Sequence, residues 1–169
     1  MQRYTAYAKF PSGPTTKFFV GSPSSYLYYD TARPIPQQNG VDVSSTVCTT
    51  NDACTFRYVT PSGCSGFNDW KYGLDARPAS APGNAATLRA RYIAADVTYM
   101  AGSQDTGSAD GSCGANVQGS GRLQCALTYA AYDRKYLATA KNRQVVITKS
   151  AHDEVCVTKT PAVAQVYLS

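Results

Sequence analysis

Glutamate is almost missing from this sequence: Glu154 is the only one among eleven acidic residues. Helices use Glu heavily on their exposed faces, so the shortage points away from a helix bundle. Charge of either sign is scarce, at 16% of residues, where an average globular chain has roughly a quarter. That excludes a disordered polyelectrolyte. No apolar run approaches the length of a membrane-spanning helix, so no span is expected. Histidine is limited to His152, no cysteines form a C-x-x-C pair, and none is closely followed by a His. Zinc-knuckle and haem-attachment spacings are therefore lacking. There is no P-loop and no G-x-G-x-x-G, so a nucleotide has no site and no cofactor is expected. A nucleophile elbow of the G-x-S-x-G kind is also missing, since Gly63-Cys64-Ser65-Gly66 misses the spacing.

What the chain does have is Tyr, Thr, Ser, Gly and Ala in quantity, with thirteen tyrosines and thirteen glycines in 169 residues. This composition favours strands and turns. Apolar and polar residues alternate over residues 3–10, 41–47 and 55–60, as on half-buried strands. Residues 16–20, 25–29, 144–149, 154–159 and 162–168 are further short β-type runs. Residues 86–100 fit either period. Residues 123–141 also alternate, yet Cys125, Tyr129, Tyr132 and Tyr136 recur as on one helical face, and length and Ala content tilt that stretch towards helix. Seven to nine short strands separated by turns predict a mainly β fold: one domain over residues 1–169, a sandwich or barrel of antiparallel strands with at most one or two helices. Residues 102–121 hold six of the glycines and read as a mobile surface loop.

The six cysteines are Cys48, Cys54, Cys64, Cys113, Cys125 and Cys156. An even, scattered set in a low-charge chain reads as three disulfides stapling a protein of an oxidising compartment, extracellular or virion-borne. Proximity predicts Cys48–Cys54 across a hairpin mouth and Cys113–Cys125 at a loop end, which leaves Cys64–Cys156. The sequence starts at Met1 without a basic-apolar-small leader, so either a signal has been removed or the protein leaves the cell otherwise, as a virion component released by lysis would. The net charge of +5 is mild and spread over both halves, so nucleic acid is not an expected partner.

Three motifs could carry chemistry. Asp105-Thr106-Gly107-Ser108 resembles the short D-T-G-S signature of aspartic proteases, in which two such aspartates share a proton. The sequence holds one copy, preceded by Gly102-Ser103-Gln104 instead of that family's hydrophobic strand, so only a dimer could complete a dyad. Asp105 and Asp110 with Gly107 and Gly111 lack the spacing and closing Glu of a calcium loop and read as an Asx-rich turn. His152 is followed by Asp153 and Glu154, with Ser150 nearby, but neighbours on a strand face opposite ways, so this stretch reads as a turn. Surface chemistry remains. Tyr26, Tyr28 and Tyr29 beside Arg33, and Trp70 and Tyr72 beside Lys71, are residue types that anchor interfaces. The expected protein is a non-enzymatic structural, adhesive or ligand-recognition component, bound to a protein partner or to itself, as a subunit of an extracellular or virion assembly would be. Uncharged runs such as 162–168 would offer strand edges for pairing. The alternatives are a small secreted Asp-based hydrolase and a secreted effector binding a host protein.

Overall fold

A computed structural model describes residues 5–6, 16–81, 83–107, 110–137 and 143–168; the alternating run 3–10 falls almost wholly outside them. The architecture is mixed α/β, and this corrects the mainly β expectation. Its centre is a parallel sheet of β1 (Lys17–Gly21), β5 (Asp96–Gly102) and β6 (Arg143–Thr148), with β5 in the middle. Lys17 pairs with Asp96 and Val20 with Tyr99, and on the other side Val97 pairs with Arg143 and Ala101 with Ile147. All three strands therefore end at one edge of the sheet. Parallel neighbours need long crossovers, and here those crossovers contain the remaining elements up to β6, with two short helices following it.

The first crossover carries a smaller antiparallel sheet, β2 (Arg33–Gln38), β3 (Val41–Asp42) and β4 (Thr55–Val59), with β2 central. Pro34 and Pro36 are tolerated in β2 because β3 reaches only Gln37 and Gln38, so residues 33–36 pair with β4 alone. The segment after β4 is irregular, and the buried Arg33 organises it. The guanidinium donates to the carbonyls of Asp30, Ala32, Phe67 and Tyr72 and to Asn68 Oδ1, at 2.9–3.3 Å. It also lies 4.0 Å over the Tyr28 ring. A cation placed so satisfies backbone groups that no strand or helix reaches.

Helix α1 (Ala85–Ala94) starts where Asn84 caps the N–H of Thr87. After β5 come the single turn α2 (Cys113–Asn116) and the long helix α3 (Arg122–Tyr136). Residues 123–133 of α3 are all buried, and Leu123, Leu127, Tyr129 and Tyr132 join the main core. The chain ends in α4 (Glu154–Thr158) and α5 (Pro161–Leu168). Residues 154–159 and 162–168 are thus helical or helix-terminal, not strands, and the uncharged final run buries Val163 beside Met100 and Val157 instead of presenting an edge. Residues 25–29 form no strand either. The stretch 102–121 is not a surface loop throughout, because Asp105, Gly114, Ala115, Gln118, Gly119 and Gly121 are buried.

Two disulfides are formed among the described residues: Cys48–Cys54, and Cys64–Cys113 with Cα atoms 5.8 Å apart. The second replaces the pairings Cys113–Cys125 and Cys64–Cys156. It is possible because Arg33 folds the segment carrying Cys64 back, while Cys125 turns into the core of α3 as a free thiol. Two such bonds place the protein in an oxidising compartment. Among the described residues no helix is long and apolar enough to cross a membrane.

Candidate active site

Ligand sites of open α/β sheets gather beyond the carboxyl ends of the strands. Here each parallel strand delivers one reactive side chain to that edge: β1 leads into Ser22, β5 into Asp105 and β6 into His152. The loops are bound to each other by backbone. Ser22 N–H donates to Met100 O at 2.8 Å, Ser103 N–H to Thr148 O at 2.8 Å, and Gln104 N–H to Ser150 O at 2.9 Å. Gly102 is what lets the β5 and β6 ends cross so closely, since a Cβ there would lie 2.2 Å from Ser150 O.

Asp105 and His152 meet. His152 Nδ1 is 2.9 Å from Asp105 Oδ2, with the Asp side chain 2% exposed and the His side chain 51% exposed. The buried carboxylate orients the ring from below while the rest of the imidazole faces the open edge, which is the relation a general base needs. The second carboxylate oxygen, Oδ1, lies 3.6 Å from Arg122 Nη1. Leu123 N–H donates to Asp105 O at 2.9 Å, so the first turn of α3 fixes the loop.

Ser22 has φ +33°. A non-glycine residue in that region is strained and clusters at functional sites, and a serine nucleophile at a strand end is held in such a sharp turn. Its Oγ is buried and finds no hydrogen-bond partner among the described residues. Ser22 and His152 line one cleft of about 360 Å³, whose apolar walls include Phe18, Phe19, Met100 and Tyr167. Tyr167 stacks on Phe19 at 4.0 Å. The segment following the serine is clamped by Gln118, whose Oε1 accepts from Tyr26 N–H at 2.7 Å and whose Nε2 donates to Tyr26 O at 3.0 Å.

The residues expected to form a binding surface sit elsewhere. Tyr26, Tyr28, Tyr29 and Arg33 are buried in the core, while Trp70 and Tyr72 are half-buried and pack against it. Burial of the first four leaves them no face for a partner. Asp105 faces an imidazole, not a second carboxylate, so the aspartic-protease resemblance ends at the tetrapeptide. Asp110 is engaged by Lys71, Tyr72 and Ser112. His152 finds its carboxylate 47 residues away, not at the adjacent Asp153, whose Oδ1 accepts from Val155 N–H. Ser22 carries no motif, and its sequence signal is positional: like Asp105 and His152, it closely follows a short β-type run.

No family model matches the chain, and no curated protein matches it. Among solved structures it is similar to a poly(3-hydroxybutyrate) depolymerase, LpqC from Bordetella parapertussis. The TM-score is 0.52 at 18% identity, over 99% of this chain and 49% of that one. The likeness is one of fold, and the chain spans about half the length of that protein.

Proposed function

We propose that the protein is a secreted serine hydrolase acting on esters, with Ser22 as nucleophile, His152 as base and Asp105 as the carboxylate that orients the base. The observation that carries this reading is the Asp105–His152 hydrogen bond at the carboxyl edge of a parallel sheet, on the cleft that Ser22 also lines. In the reaction, Ser22 Oγ attacks the acyl carbon and passes its proton to His152 Nε2, while Nδ1–H stays donated to Asp105. Collapse of the tetrahedral intermediate breaks the ester bond, and His152 returns the proton to the departing alkoxide. Water, deprotonated by His152, then releases the acid and restores Ser22. The apolar walls suit an aliphatic ester chain, and the structural neighbour's named polymer is itself a polyester. Two disulfides support secretion. The non-enzymatic adhesive or virion reading loses its support with the sandwich fold and with the burial of the tyrosines and Arg33.

One observation favours a second assignment of the nucleophile. Serine hydrolases of this architecture use the N–H of the residue after the nucleophile to stabilise the oxyanion, and Pro23 has none. Ser24, two residues on, is followed by Ser25, which has one. A fluorophosphonate probe distinguishes the two. The native protein is expected to be labelled at Ser22 and to hydrolyse p-nitrophenyl butyrate, with labelling and turnover lost in Ser22→Ala and His152→Ala and kept in Ser24→Ala. Loss in Ser24→Ala alone moves the nucleophile to Ser24. Labelling of neither serine overturns the hydrolase reading.

A further inference from the structure

We propose that Arg122 is a positioning residue that sets the charge balance of the Asp105–His152 pair. For its catalytic meaning the inference rests on the hydrolase reading; for its physical content it does not. Asp105 is nearly inaccessible, with a side chain 2% exposed. A buried carboxylate stays ionised only where charge or hydrogen bonds replace its lost water. One oxygen faces His152. The other has the Arg122 guanidinium at 3.6 Å, too long for a hydrogen bond but within ion-pair range, and the Arg side chain is itself only 23% exposed.

The placement of Arg122 is built in by the backbone. Arg122 is the first residue of α3; its N–H donates to Gly107 O at 3.3 Å and the next N–H to Asp105 O at 2.9 Å. Gly121, just before it, packs so closely that a Cβ would lie 2.5 Å from Thr106 O. The start of the helix and the Asp105 loop therefore form one unit, with the guanidinium held behind the carboxylate. Two other charged residues share the cleft with the imidazole. Lys17 and Asp153 line the cleft, and the Asp153 carboxylate accepts from the N–H of Val155. Arg122 thus opposes, from behind, the pull of Asp105 on a proton at His152. Without it the carboxylate's field falls on the imidazole alone, so the ring should hold its second proton to higher pH.

The chain has one histidine, so its ring resonances are unambiguous in an NMR titration. In Arg122→Met the midpoint of His152 should move to higher pH, and Arg122→Lys should bring it back towards the native value; Arg122→Gln serves if the Met variant does not fold. With p-nitrophenyl butyrate the Met variant should lose on the order of tenfold in kcat with KM little changed, as expected for a misplaced base. The acid limb of its pH profile should follow the NMR midpoint. A midpoint unchanged in Arg122→Met or Arg122→Gln, or shifted equally in Arg122→Lys, overturns the inference. A native protein that neither turns over the ester nor takes the fluorophosphonate overturns the hydrolase reading, while the titration still decides the role of Arg122.

Discussion

Cys125 shows how one residue's surroundings decide its chemistry. It sits within α3 with Sγ 3.6 Å from Gly119 O, and burial pushes its thiol up to about 12. Thiolate is the reactive form, so at neutral pH iodoacetamide should leave the Cys125 peptide unmodified in the folded protein and alkylate it fully in denaturant. Peptide mass mapping checks both. Proximity in sequence paired this cysteine with Cys113, but a helix carries its side chain inward while Cys113 turns towards Cys64. The site residues follow the same logic. Asp105 and His152 each stand out in the sequence, but as separate features, because nothing local tells one that the other lies across a strand pair. Ser22 is silent in the sequence because its strain is a property of the backbone, not of the residue type.

At the scale of elements, α3 is the helix towards which length and Ala content tilt residues 123–141, and it shows why periodicity alone leaves helix and strand undecided. A helix buried along most of its length has no polar face to mark the 3.6-residue period, and its alternating small and large residues also satisfy a strand pattern. The three parallel strands are short and far apart in the chain; β1 and β6 read as β-type runs, β5 lies in a stretch that fits either period, and the pairing of all three is invisible. The elements are joined by a buried network. Tyr92 OH meets Tyr99 OH at 2.6 Å, Tyr99 OH donates to Asp133 Oδ2 at 2.5 Å, and Arg143 Nε lies 2.8 Å from the same oxygen. Arg143 also donates to the carbonyls of Tyr92 and Ala95, tying α1, β6 and α3 together. Burial pushes the Asp133 carboxyl above its ordinary range, while Arg143 favours its charge. Asp133→Ala would leave the Arg143 cation buried without a counter-charge, at a cost of about 3–5 kcal/mol. Urea denaturation should show that loss, with a double variant Asp133→Ala, Arg143→Met recovering part of it.

Across the whole molecule, the two disulfides hold segments of different reach. Cys48–Cys54 closes a separation of 6 residues and Cys64–Cys113 one of 49. Loop-closure entropy rises with length, so the longer bridge should contribute about 4 kcal/mol and the shorter about 2. Cys64→Ser with Cys113→Ser should therefore lower the melting temperature more than Cys48→Ser with Cys54→Ser, by calorimetry in the absence of reductant. Equal losses would mean that the longer loop is already compact when unfolded. The crossing at Gly102 has a further consequence. Where two chains touch with no side chain between them, neither can be displaced without the other, so the acid and base of the pair travel as a single body. A methyl group at that point is a wedge driven between two jaws. Gly102→Ala would open the jaws while leaving Ser22, Asp105 and His152 chemically intact.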